Sequence, residues 1–167
     1  MDAPNKSGHD GAKKAAKLAA MTLVIRDAAP GDFAPWQTLW DGYIVFYKRL
    51  PSDEITRTLW ARLFDPAEPV HALVAERQGQ LVGLAHYLFH RSTSMVPLNC
   101  YLQDLFTAAG ARGGGAGRAL IQAVYDAARA AGSARVYWQT HETNAVAMRL
   151  YDQVAAKSGF LVYRKEL

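Results

Sequence analysis

The sequence predicts a mixed α/β (α+β) fold: a mostly antiparallel central sheet flanked by helices, in the order β-α-α-β-β-β-α-β-α-β. Three observations predict it. Two alternating apolar runs, VHALVAE and QLVGLAHYLFH, are separated only by RQGQ, the pattern of an antiparallel hairpin. Two segments before that hairpin and two after it space their apolar residues as amphipathic helices do. A glycine-dense stretch, GARGGGAGRALIQAV from Gly110 to Val124, joins a strand-like run to a helix-like one. The strands on either side of that last helix then form a βαβ crossover, which places them parallel and right-handed.

Each element follows in turn. TLVIRDA, from Thr22, is a short strand, and PGDF after it is a helix start with Asp32 as candidate N-cap. FAPWQTLWDGYIVFYKRL carries Trp36, Leu39, Trp40, Tyr43 and Phe46 or Tyr47 on one helical face. PSDEITRTLWARLF opens on Ser52 and Asp53 and repeats Ile55, Leu59 and Leu63, a second helix. The hairpin comes next, then NCYLQDLFT, a strand of buried residue types. After the glycines, Leu120, Ile121, Val124, Ala127, Ala128 and Ala131 share a helix face that Gly132 ends. ARVYWQT is a strand, NAVAMRLYDQVAAK a helix and FLVYRKEL a final strand.

The 167 residues suit one domain with a proper core. Residues 1–20 are polar, rich in Ala, Lys and Gly, and read as an N-terminal tail or leader; residues 21–167 read as the domain. LAAMTLVI resembles the apolar part of a secretion signal, but Arg26 and Asp27 end it and no suitable cleavage site follows. Half of the formal +4 charge comes from that leader. What remains forms no basic stripe with interleaved aromatics, so no nucleic-acid partner is expected. No apolar run reaches 18 residues, so no membrane span is expected. Cys100 is the single cysteine, which fits a reducing cytoplasm and provides no metal-ligand set.

Five glycines within Gly110–Gly117 set free backbone N–H groups at a helix N-terminus, a place that favours an anion such as phosphate. Spacing tests the options. A dinucleotide fingerprint starting at Gly113 or Gly115 needs glycine where Arg118 or Leu120 stands. A P-loop starting at Gly110 needs Lys and Ser/Thr after Gly115, where Ala116 and Gly117 stand. What remains, Arg112-x-x-Gly115-x-Gly117, resembles the Arg/Gln-x-x-Gly-x-Gly/Ala signature of the GNAT superfamily of acetyl-CoA-dependent N-acetyltransferases. YLQDLFT is similar to that family's fourth strand, and NAVAMRLYDQVAAKSGF to its later helix and strand start. Ala109 stands where the family often has proline. DLF, GAGRALIQAVYD, VYWQTHETN and LYDQV most resemble the histone/polyamine acetyltransferase branch.

The resemblance implies a GNAT-like sheet, acetyl-CoA as co-substrate and no metal. It implies that Arg112, Gly113, Gly114, Gly115, Ala116, Gly117 and Arg118 hold the pyrophosphate of coenzyme A. It also implies that the backbone of Leu105, Phe106 and Thr107 holds the pantetheine arm, and that an N–H there stabilises the oxyanion. Asn144, Ala147 and Tyr151 share a helix face; the resemblance makes Asn144 a coenzyme A contact and Tyr151 the general acid. A phenol with an ordinary pKa of about 10 keeps its proton at neutral pH.

The acceptor amine arrives as an ammonium, and a carboxylate can remove its proton. Asp104, alone in an apolar strand, is the leading base; its other reading is a structural carboxylate. Glu142 is the reserve. Strict alternation puts Cys100, Leu102, Asp104 and Phe106 on one face, although a lone thiol is more often simple core. His86 and His90 read as packing or surface residues, and His141 has no evident partner. Trp36, Trp40, Tyr43, Phe46 and Tyr47 with Asp41, Asp53 and Glu54 suit a cationic amine such as a polyamine or lysine side chain; a stripe at this helical spacing is more often core than cage. The expectation is an N-acetyltransferase acting on a primary amine (polyamine, small amine or amino acid, or lysine side chain) in a ternary complex. Its alternative is a non-catalytic acyl-CoA-binding regulatory domain. Dimerisation is common in the family, and FLVYRKEL is the segment expected to pair across a homodimer axis.

Overall fold

The computed structural model describes residues 22–167; the expected leader over residues 1–20 lies outside them. Five strands of the described residues form one sheet in sequence order: β1 (Leu23–Asp27), β2 (Val70–Arg77), β3 (Gln80–His90), β4 (Asn99–Thr107) and β5 (Arg135–Tyr137). The first four pair antiparallel, and β4 pairs with β5 in parallel, as the crossover requires. Helices α1 (Phe33–Phe46) and α2 (Asp53–Leu63) build an aromatic core on one face. On the other face α3 (Ala116–Ala130) packs Leu120, Ile121 and Val124 against the sheet, with Leu150, Tyr151 and Val154 of α4 (Ala145–Val154) beside them.

Local chemistry explains most boundaries. The hairpin turn is Gln78-Gly79, both at positive φ (55° and 73°), as a two-residue type I′ turn demands. Ser52 caps α2 by accepting the Ile55 N–H at 3.4 Å. Within that helix Thr56 is 2 % exposed and Leu59, Trp60 and Leu63 pack against the core, while Ile55 is 60 % exposed. Asp32 stands at the N-cap position of α1, but its side chain turns back. It accepts the Ala29 N–H at 2.8 Å and pairs with Arg26, which also reaches Glu76 at 2.8 Å. One guanidinium thereby ties β1 to β2 and to the entry of α1.

Two expectations fail at the C-terminal end. The strand expected over ARVYWQT stops at Tyr137, and the final strand expected over FLVYRKEL does not form. Phe160, Leu161, Val162 and Tyr163 are instead exposed. A strand needs a matching edge, and three-residue β5 is too short to template an eight-residue partner.

A third correction lies in β4. His86 pairs with Asp104 but Tyr87 pairs with Leu102, so Gln103 is an extra residue in the ladder. Such a bulge resets which way the following side chains point. Cys100 and Leu102 therefore pack against α3, whereas Asp104 and Phe106 lie on the α1 face. Cys100, 0 % exposed, is core on the side opposite Asp104.

Candidate active site

The glycine loop begins with a 3-10 turn at Ala109–Ala111 and ends at the first residue of α3. Gly113 (φ 76°) and Gly115 (φ 83°) occupy the left-handed region, where other residues are strained. Gly115 is the N-cap of α3, and the first intrahelical donor is the Ala119 N–H, to the Gly115 carbonyl at 3.0 Å. The N–H groups of Ala116, Gly117 and Arg118 are thus left over at the positive end of the helix. A Cβ on Gly114 would stand 2.8 Å from an Arg77 nitrogen, and that guanidinium donates to the Gly114 carbonyl at 2.7 Å. Arg112 lies over the Phe46 ring at 5.8 Å, and Arg118 donates to Gln153 on α4. Three cations therefore stand by the free amides. Gly117 lets the helix end approach Leu150 and Thr107, with a virtual Cβ 3.4 Å and 3.9 Å from them.

Next to the loop the sheet forks. The β4–β5 ladder ends at Tyr101–Tyr137. Leu105, Phe106 and Thr107 consequently have no β5 partner, and their strand edge on that side is open.

Around the fork the α1 face gathers ionisable groups. His86 Nδ1 lies 2.9 Å from Asp104 Oδ2, and the Trp36 indole N–H donates to His86 Nε2 at 3.0 Å. Burial and the neighbouring Asp104 charge push the Tyr43 phenol well above its ordinary value. Tyr47 is raised for the same two reasons, and Tyr101 by burial first and then by Tyr137 and Asp104. Arg49, stacked 5.8 Å over the Tyr47 ring, opposes Asp104 at both Tyr43 and Tyr47. Tyr151 of α4 packs edge-on against Trp138 at 5.3 Å. Its phenol is pushed up to about 12, by burial first and then by Tyr47, so Tyr151 keeps its proton at neutral pH.

Asp104 lies on the α1 face beside His86, Tyr151 packs with the α3-face core against Trp138, and the open edge at Leu105–Thr107 leads on to the glycine loop from Arg112 to Arg118. Asn144 is half-buried just before α4 and donates to Thr140 at 3.1 Å, and Ala147 is half-buried on the same helix. Glu142 is exposed in the turn before α4, and no contact ties it to Asp104 or Tyr151. Sequence reasoning left out Arg77 and Arg49 and read His86 only as a packing or surface residue. Its position two residues after the buried Leu84 on an alternating strand was the available signal. Nothing local marked the two arginines. Among the described residues no helix is long and apolar enough to cross a membrane.

Comparison with known proteins shows the family and the fold. The model of the acetyltransferase (GNAT) family matches residues 34–155. A D-amino-acid N-acetyltransferase, HPA3 of Saccharomyces cerevisiae, is 34% identical over 151 residues, covering 89% of this chain and 94% of that protein. Among solved structures, AAC(6')-Iy in complex with a bisubstrate analog built on coenzyme A superposes with a TM-score of 0.76 at 14% identity, covering 87% of this chain and 99% of that one. A ribosomal-protein-alanine N-acetyltransferase from Brucella melitensis biovar Abortus 2308 gives a TM-score of 0.73 at 20% identity, over 87% and 100% of the two chains.

Proposed function

The chain belongs to the acetyltransferase (GNAT) family and is an acetyl-CoA-dependent N-acetyltransferase; from that premise we propose that its acceptor is the α-amino group of a free amino acid, with Asp104 as general base and Tyr151 as general acid. The observation that carries this reading is the pairing of two opposite charges across the same two phenols. Arg49 stacks 5.8 Å over the Tyr47 ring, which itself packs 4.9 Å from the Tyr43 ring. The charges of Asp104 and Arg49 push these two phenols in opposite directions, and no carboxylate of the described residues lies within salt-bridge distance of Arg49. A free amino acid presents an ammonium and a carboxylate, the complement of that pair. Arg is suited to bind a carboxylate through its planar fork of donors. The same guanidinium repels the second ammonium of a polyamine, which argues against a polyamine acceptor. The name of the yeast relative points the same way.

The residues present fit acetyl-CoA. Left-handed glycines, the leftover amides of Ala116, Gly117 and Arg118 and the side chains of Arg77, Arg112 and Arg118 suit a pyrophosphate. The open edge at Leu105, Phe106 and Thr107 suits an amide-bearing arm, and Asn144 and Ala147 of the α4 end are assigned to the same arm. Acetyl-CoA supplies the acetyl group as a thioester. Asp104 accepts the proton of the acceptor ammonium, freeing the nitrogen lone pair for attack. An unpaired N–H of the open β4 edge donates to the carbonyl oxygen as charge collects there. Tyr151 returns a proton to the departing sulfur. The exposed apolar tail from Phe160 supports a homodimer in which a second copy covers it.

The test is thiol release from acetyl-CoA against D- and L-amino acids, the matching amino-acid amides, spermidine and a lysine-rich peptide. Turnover with free amino acids, with KM rising in the amides and in Arg49→Gln, is the expected result. Preference for spermidine or the peptide would overturn the acceptor assignment while leaving the enzyme class intact.

A further inference from the structure

His86 is 1 % exposed and Asp104 7 %, an ionisable pair taken almost wholly out of water. An indole nitrogen only donates. Since the Trp36 N–H points at His86 Nε2 at 3.0 Å, Nε2 must accept, and the ring proton of a neutral imidazole sits on Nδ1. That Nδ1–H donates to Asp104 Oδ2 across 2.9 Å. The chain Trp36–His86–Asp104 therefore has one direction. A second proton on His86 would have to enter at Nε2, against the indole N–H. The ring is also enclosed by Trp36 and Trp40, at centroid separations of 5.7 and 5.4 Å.

We propose that Trp36 and His86 are positioning residues of acetyl transfer: Trp36 locks His86 as a neutral Nδ1–H donor, and His86 holds Asp104 as an oriented carboxylate whose charge is not cancelled. The inference rests on Asp104 being the base. An imidazolium at His86 would neutralise Asp104 and remove the attraction for the acceptor ammonium; a neutral imidazole orients the carboxylate and leaves its charge for the substrate. Oδ2 is engaged by His86, so the remaining lone pairs are left for the acceptor. The titratable groups facing this pair are Tyr43 and Tyr47 from α1 and Tyr101 from β4, with Arg49 beyond Tyr47 and Ala72 of β2 opposite His86.

Long-range 1H–15N NMR of the wild-type imidazoles tests the lock directly. His86 should be the neutral Nδ1–H tautomer throughout the pH range of activity; an Nε2–H tautomer or an imidazolium at neutral pH overturns the proposal. Trp36→Phe keeps a ring but removes the donor. Its kcat/KM profile should move its acid limb to higher pH, as His86 becomes free to charge beside Asp104, with KM for acetyl-CoA unchanged. His86→Leu should lose about 10- to 100-fold in kcat, the loss typical of an outer partner that orients a reacting group, and His86→Asn, which retains an N–H, should recover much of it. Thermal melts and coenzyme A binding establish that each variant is folded; where Trp36→Phe is not, the wild-type spectrum decides. Asp104→Asn separates the two layers of the argument. If it turns over like wild type, the base assignment falls, and this inference with it. If it is inactive while Trp36→Phe keeps the acid limb and His86→Leu keeps kcat, only the positioning role falls.

Discussion

On the face covered by α3, the sheet presents Leu73, Ala75, Ala85, Tyr87, Cys100 and Leu102 to Leu120, Ile121 and Val124. On the face covered by α1, neighbouring positions of the same strands present Leu84, His86, Asp104 and Phe106 to Trp36, Trp40 and Tyr43. Both faces are buried, yet one is nearly pure hydrocarbon and the other encloses a carboxylate and an imidazole. Burying a charge is costly unless it is paired and hydrogen-bonded, and His86 gives Asp104 such a partner. Stability can be concentrated on the first face and chemistry on the second because strand alternation separates them by one residue. The bulge at Gln103 moves the boundary within β4, delivering Asp104 to the chemical side.

That division of labour is breakable by single substitutions. The largest effect is expected from Asp104→Asn. Loss of a general base costs about 10²–10⁴ in rate, so kcat should fall by at least about 100-fold while coenzyme A still binds. Near-normal turnover would show that Asp104 is only structural. On the opposite face, Leu120→Ala should cost about 2–5 kcal/mol of stability, read as a lower denaturant midpoint, with kcat per folded molecule unchanged at low temperature. A large loss of kcat there would show the two faces to be coupled. A smaller effect is expected at the rim they share. Gly115 sits at φ 83°, and an alanine forced into the left-handed region costs about 1–2 kcal/mol. Gly115→Ala should therefore raise KM for acetyl-CoA more than it lowers kcat. An unchanged KM would mean that the loop does not hold the cofactor.

The two faces were not equally legible in the sequence. The α3 face was: Leu120, Ile121 and Val124 follow a helical period, and the glycines announce their own turn through conformations only they adopt easily. The α1 face was legible only in part. Asp104 stood out as a charge in an apolar strand, but His86 did not, because a histidine's partner is fixed by the cross-strand register and not by its neighbours in sequence. The bulge was equally hidden, since Gln103 carries no mark of an unpaired ladder position, and its omission put Cys100 and Asp104 on one face. FLVYRKEL has the alternation of a strand, but a strand exists only where an edge receives it, and the length of β5 is a property of the folded sheet. Glu142, named for its place near a strand end, sits in a turn that strand extrapolation from ARVYWQT had not foreseen.

The smallest expected effect sharpens the comparison on the hydrocarbon face itself. Burial pushes the Cys100 thiol up to about 11 from an ordinary value of 9.0. The folded state therefore holds its proton where the unfolded chain has lost it. The contribution is fully present below about pH 9 and disappears as pH rises towards about 11. At neutral pH Cys100→Ala should be less stable than wild type by about 1 kcal/mol, the ordinary cost of a core truncation of this size. Denaturant titrations from neutral to alkaline pH should show that gap closing, because the variant has no thiol to ionise on unfolding. Asp104→Asn should behave differently: it removes one of the causes that raise Tyr43, so its alkaline loss of stability should be milder than that of wild type, with no dependence on the thiol. A gap between wild type and Cys100→Ala that stays constant through pH 11 would mean the thiol reaches water in the folded protein, and that the α3 face is less dry than its packing implies.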